Sequence, residues 1–175
     1  MEQKPASLFK SSLTSGIYIG IVLILVSVVL YVAGLTFETW AQYVTWPILI
    51  LGAIYAQINY KKSLGGEMTY GQALGAGVLA LIFASVLSSI YAYLLYTVID
   101  PSLVDQIRIV TEQRLVEQGN IPEEQLDQFI EMSMRFQKPG IMAIMGIVGG
   151  ALIGLVISLI TAIFTKKNPS EVVPE

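Results

Sequence analysis

MTYGQALGAGVLALIFASVLSSIYAYLLYTVI, running from Met68 to Ile99, contains no Asp, Glu, Lys or Arg. About 20 apolar residues in a helix cross the roughly 30 Å hydrocarbon core of a bilayer, and this stretch is longer than that. Three others share its property: Ser11–Phe37, Thr39–Tyr60 and Pro139–Thr165. Only 13% of the residues are charged, 54% are hydrophobic and the mean hydropathy is +0.68. Water-soluble domains carry about 25% charge. A soluble core has no use for four such runs, so the sequence predicts an all-α membrane protein. Its four transmembrane helices fall at about residues 13–36, 40–60, 69–99 and 140–165.

The composition also removes whole classes of chemistry. There is no cysteine and no histidine, hence no disulfide, no thiolate nucleophile, no imidazole acid–base group and none of the usual zinc ligands. A net charge of −3 gives no basic patch for nucleic acid. The start of the chain, MEQKPASLFKSSLTSG, has lysines before an apolar run, as a signal peptide does. That run exceeds the about 7–15 residues of a signal-peptide core, so it is expected to remain as the first span.

Cations orient the spans. Lys4 and Lys10 precede the first, Lys61 and Lys62 separate the second from the third, and Lys166 and Lys167 follow the fourth. With four spans all of these lie on one side, which the positive-inside rule makes cytoplasmic, with both termini. Residues 166–175 then form a cytoplasmic tail. Trp40, Tyr43 and Trp46, with Tyr91, Tyr93 and Tyr96, mark the outer interface, and Tyr55, Tyr60 and Tyr70 the inner one.

Residues 100–138 form an extracytoplasmic segment with helical signals. Asp100 and Pro101 read as an N-cap and first helical residue. Leu103, Ile107, Val110 and Leu115 follow at helical spacing. Gly119 reads as a stop, and Pro122 with Glu123 and Glu124 as a second start. Leu126, Phe129, Ile130, Ser133 and Phe136 line that second helix. The expectation is a helical hairpin, amphipathic on both arms. Glu123, Glu124 and Asp127 read as a solvated face with helix-start charge rather than a metal site.

The glycine-rich stretch Lys61–Gly77 has no GxxxxGK[ST] phosphate loop. Gly75, Gly77 and Ala80 fit GxGxxA in form, but inside a span rather than after a strand. Small residues continue at intervals of four: Ala76, Ala80, Ala84, Ser88 and Ala92 in span three, and Gly146, Gly150, Gly154, Ser158 and Ala162 in span four. Residues four apart share a helix face, and in lipid such stripes let backbones approach closely. The two stripes are therefore expected to pack spans three and four together. Gly65-Gly66 reads as a flexible turn, and Glu67 as favourable charge at the start of span three.

Gly65-Gly66-Glu67-Met68-Thr69-Tyr70-Gly71-Gln72-Ala73, the Ile99-Asp100-Pro101 junction, Pro139, and Ser158–Ile163 followed by Lys166-Lys167 resemble the domain-of-unknown-function family 4199, small bacterial multi-pass membrane proteins. The resemblance covers roughly Phe9 to Lys167. It implies four spans and an inner-membrane location, and it brings no activity, catalytic residue or cofactor.

Ion-coupled transporters hold ionisable groups at membrane depth, and these spans have none. Gln57, Asn59 and Gln72 read as interfacial, solvated groups. Ser85, Ser88 and Ser89 can bond to their own helix carbonyls, and Pro47 reads as a kink in span two. The sequence thus points to a non-enzymatic interaction or regulatory subunit in the lipid bilayer, meeting a protein partner through residues 100–138. The alternative is a small channel or carrier for an uncharged solute, built as a homo-oligomer.

Overall fold

The computed structural model describes residues 7–118 and 123–167, and among them every regular element is helical. The helices are Leu8–Val32 (α1), Ala41–Ser63 (α2), Tyr70–Leu94 (α3), Ser102–Gln118 (α4), Glu123–Phe136 (α5) and Pro139–Thr165 (α6). A π-helical turn, Leu95–Ile99, continues α3. Gly119, Pro122, Lys4 and residues 168–175 lie outside the described residues, as do the side chains of Glu123, Glu124, Leu126 and Asp127.

Leu8–Val32, Tyr70–Ile99 and Pro139–Thr165 are long and apolar enough to cross a membrane. In α2 the last turns carry Gln57, Asn59, Lys61 and Lys62, which lowers its apolarity. It nevertheless lies alongside α1, α3 and α6. The central helix is α3, packed most extensively on α6 and α1. Buried Ile19, Ala53, Ala56, Ala80, Leu81, Ala84 and Ile157 form one core cluster. Tyr60, Met68, Ala73, Ala76 and Ala162 form a second, at the end of the bundle carrying the α2–α3 turn.

Local chemistry sets the helix ends. After α2, Gly65 and Gly66 have φ of 78° and 98°, a left-handed region that glycine enters without a Cβ penalty. The Gly66 N–H donates to the Lys61 carbonyl and the Gly65 N–H to that of Lys62, the double bond of a Schellman cap. The pair expected to be a flexible turn is therefore a hydrogen-bonded stop. The same motif ends α1, where Leu35 bonds back to Leu30 and Gly34 to Tyr31. At the start of α3, the Thr69 hydroxyl accepts from the Gln72 N–H, and the Gln72 side chain accepts from the Thr69 N–H. This capping box is worth about 1 kcal/mol. It gives Gln72 a structural task, and its hydrogen bonds lie exposed at the helix start. Met68 and Lys167 then exchange backbone hydrogen bonds of 2.7 and 2.9 Å, tying the α2–α3 turn to the exit of α6.

Candidate functional site

The small-residue stripes divide between two interfaces. A Cβ built on Gly154 would stand 2.9 Å from Leu81 Cβ, one on Gly150 would overlap Ser85, and one on Gly146 would lie 2.7 Å from Ser89 Oγ. One on Gly77 would lie 2.5 Å from Ser158 Oγ. So α6 and α3 do lie together, but α6 meets the α3 face of Gly77, Leu81, Ser85 and Ser89, not the expected stripe beside it. Ala76, Ala80 and Ala84, all fully buried, have α1 against them. Ser12 Oγ donates to the Ala76 carbonyl at 3.3 Å. A Cβ on Gly16 would stand 2.6 Å from the Ala80 oxygen, and one on Gly20 3.4 Å from Ala84 Cα. Ser12, Gly16 and Gly20 are a third run of small residues four apart, and that spacing was the signal for this contact. Ala162 is buried in the turn-end cluster that also holds Ala73 and Ala76.

At the turn end the interior is polar. Gln57 is fully buried. Its Nε2 donates to Thr161 Oγ1 at 2.9 Å, and its Oε1 accepts from Thr165 Oγ1 at 2.9 Å. The expected solvation of Gln57 is overturned: its amide bridges α2 to α6, and in an apolar interior those bonds replace water. Gly77 makes the room, since a Cβ there would stand 2.7 Å from Gln57 Nε2. Asn59 donates from Nδ2 to Ser15 Oγ at 3.5 Å. Lys61 Nζ donates to the Thr165 carbonyl at 2.8 Å, placing a cation on the last turn of α6, where the helix dipole favours it. Tyr70, the first residue of α3, donates its hydroxyl to the Leu159 carbonyl at 3.1 Å. Gly71 beside it is exposed, with open space where a side chain would be.

Toward the other end, where α4 and α5 lie, the bundle loosens into two cavities of about 320 and 330 Å³. Leu23, Ser88, Ala92 and Tyr96 line both. Ser88 and Ala92, the last two of the expected packing stripe, therefore border space rather than a close helix contact. Ser85 bonds to its own helix at the Ile82 carbonyl, as expected, whereas the buried Ser88 Oγ has no partner among the described residues.

The junction to the hairpin is fixed by Asp100. Its Oδ1 accepts from the Ser102 backbone and hydroxyl, and its Oδ2 from the Tyr31 hydroxyl at 3.0 Å. These donors, the Ser102 hydroxyl foremost, hold the Asp100 carboxyl below its ordinary pKa. Pro101 follows as the first residue of the helical turn, its carbonyl accepting from Val104. Arg114 donates to the Phe37 carbonyl at 3.0 Å, so α4 leans on the α1–α2 connection. Thr111 and Gln137 bond across the hairpin. In α4, Leu103 is buried, Ile107, Val110 and Leu115 are half-buried, and Ile109 and Val116 are exposed, so its apolar residues are not gathered on one face. In α5 they are. Ile130 is buried and Met134 half-buried, while Phe129, Met132 and Phe136 are exposed. At 3.6 residues per turn these three form an apolar band continuous with the covered side. Glu131 and Arg135 pair at 3.2 Å on the opposite, solvated side.

Apolar helices of membrane-crossing length, with the buried amide between them paired to neighbouring hydroxyls, define a helical membrane protein. The chain belongs to the family described as protein of unknown function DUF4199, whose model matches residues 14–167. No curated protein and no solved structure matches it.

Proposed function

We propose that this is a four-span protein of the bacterial inner membrane and a non-enzymatic interaction or regulatory subunit. Its extracytoplasmic hairpin, residues 100–138, recognises a protein partner. The observation that carries this reading is the band of Phe129, Met132 and Phe136 on α5, which α4 leaves uncovered. Exposed aromatic and methionine side chains in a band rimmed by charge are the composition of an interface core. Support for the fourth span comes from α2, whose 23 residues at 1.5 Å each extend about 34 Å beside the other helices. Lys61 on α2 and Lys167 after α6 meet the same end of the bundle, as the positive-inside rule requires of cytoplasmic cations.

The test is affinity capture from mild detergent with a triple variant, Phe129→Ser, Met132→Gln and Phe136→Ser. These exposed positions contribute little to the bundle, so insertion and thermal stability should be unchanged while a specific co-purifying protein is lost. Retention of that protein by the triple variant would overturn the hairpin reading.

A further inference from the structure

We propose that the two cavities near the hairpin form one binding site for a neutral amphiphile, an aliphatic or isoprenoid chain bearing a single hydrogen-bonding oxygen. This goes beyond the hairpin reading and does not depend on it. The first cavity lies over α3, between Leu49 of α2 and Met142 and Gly146 of α6. The second lies between α1, α2 and α3, with Thr36 and Thr45 in its wall. Because both share the Ser88–Ala92–Tyr96 edge of α3, one elongated molecule can occupy them in succession. Each volume is near the lower end of the about 300–1,000 Å³ of small-molecule sites, so a slender chain fits where a bulky one does not.

The lining fixes the chemistry. Neither cavity has a charged residue among those lining it; the walls are aliphatic, with serine, threonine and tyrosine hydroxyls between. An ionic headgroup would lose its hydration there with nothing to replace it. A plain hydrocarbon would pair with none of the wall hydroxyls, those of Thr36 and Thr45 among them. A hydroxyl or carbonyl oxygen on the chain can exchange hydrogen bonds with them, which favours one polar atom on the ligand. The space exists because the α3 face is small at Ser88 and Ala92 and then changes register. The Asp100 N–H bonds back to the Leu95 carbonyl, five residues earlier, and this π-helical turn carries Tyr96. Such turns recur at functional sites because they re-aim side chains. Below, Gly154 closes on Leu81, and Gly77 on Ser158 and Gln57, so the site is blind at the turn end. A blind pocket holds a ligand; it does not conduct one through a single chain.

The experiment uses the full chain in phosphatidylcholine nanodiscs, with a long-chain fatty alcohol carrying a diazirine on its chain. Its trimethylammonium counterpart is the charged comparison. After irradiation, adducts are mapped by peptide mass spectrometry, with unlabelled alcohol as competitor. The expected result is saturable labelling by the alcohol at Ala92, Tyr96 and Met142, and only unsaturable labelling of exposed α6 positions such as Leu152 by the ammonium probe. Ala92→Leu fills the shared edge and should cut saturable labelling about tenfold or more. Thr45→Val, close in volume, should raise the competing concentration about three- to tenfold, the share of one lost hydrogen bond. Thermal melting reports whether each variant folds; should Ala92→Leu fail, the smaller Ala92→Val takes its place with the same expected loss. Saturable labelling by the ammonium probe at the same residues would overturn the neutral class. Unsaturable alcohol labelling, or a saturable site indifferent to the Thr45 and Ala92 changes, would overturn the site.

Discussion

Ser89 on α3 and Gly146 on α6 face each other so closely that a Cβ at 146 would stand 3.9 Å from the Ser89 Cβ. Gly150 opposite Ser85, Gly154 opposite Leu81 and Ser158 opposite Gly77 continue the same antiparallel register toward the turn end. A disulfide needs Cβ atoms about 3.8 Å apart. In this cysteine-free chain, Ser89→Cys with Gly146→Cys should therefore oxidise to an intramolecular bond in mild oxidant. Ala84→Cys with Gly154→Cys should not, since the three atoms nearest a Cβ at Gly154 all belong to Leu81. Band shift on a non-reducing gel checks both. Cross-linking of the 84–154 pair with none at 89–146 would displace the register.

The α1–α3 contact carries a stability prediction. Gly16→Leu places a branched side chain where even a methyl would be 2.6 Å from the Ala80 oxygen. Helices in lipid gain from close packing rather than from the hydrophobic effect, so the separation it forces should cost roughly 1–3 kcal/mol. Gly149→Leu, with open space around it, should be close to silent. Thermal melting in detergent compares the two, and equal stability would remove α1 from the packing argument.

Much of this bundle was legible because lipid imposes a plain code: charge-free runs for helices, small residues four apart for contacts. That code finds a stripe but not its partner. Ala80 and Leu81 are one position apart on α3, about 100° around the helix, yet one meets α1 and the other α6. Sequence spacing cannot say which, because every apolar neighbour in a bilayer satisfies a small residue equally well. Gln57 was unreadable for a related reason. An amide near a helix end is ordinarily wet, and only its placement against Thr161 and Thr165, more than a hundred residues on, makes it dry. The cavities were unreadable because Ser88 and Ala92 continue the spacing of packed residues and differ from them only in what stands opposite.

At the turn end, Ser158 Oγ is fully buried and without a partner among the described residues. Removing an unpaired buried hydroxyl also removes its desolvation cost. Ser158→Ala should therefore leave stability unchanged or raise it by about 0.5–1 kcal/mol. Gln57→Leu should lower it by about 0.5–1.5 kcal/mol, in the range of interhelical hydrogen bonds in membranes. Chemical or thermal unfolding in detergent ranks the two, and a loss at Ser158 as large as at Gln57 would show that the serine hydroxyl is bonded in the native protein.

Asp100 gives a dependence on pH. Its carboxyl is held below the ordinary value, first by the Ser102 hydroxyl and then by the Tyr31 hydroxyl. A group with a depressed folded pKa adds stability above its unfolded value, about 3.9, and loses it as pH falls through the folded one. Between pH 7 and pH 5 this contribution should be constant, and it should fade below about 4. Asp100→Asn should flatten that acid limb, and Tyr31→Phe should reduce it in part. Melting temperature against pH, compared among the three proteins, reads the effect, and an unaltered acid limb in Asp100→Asn would assign it to other carboxylates.

The crossing of α2 decides between three spans and four. Thr39 precedes α2, near the hairpin end, and Ser63 closes it, beside the turn. If α2 crosses, single cysteines at these two positions face opposite sides of the membrane. A cysteine at Asn120 belongs with Thr39, and one at Ser170 with Ser63. In cells whose outer barrier has been opened, a membrane-impermeant maleimide should label cysteines at 39 and 120 and spare those at 63 and 170 until the inner membrane is broken. Cysteine is uncharged and small, so none of the four changes alters the lysine asymmetry that sets orientation. If 39 and 63 react from the same side, α2 does not cross, and the termini must then lie on opposite sides. Labelling of 63 and 170 in place of 39 and 120 would keep four spans and invert them. Of the two four-span outcomes, only the expected pattern leaves α5 and its Phe129–Phe136 band facing an extracytoplasmic partner.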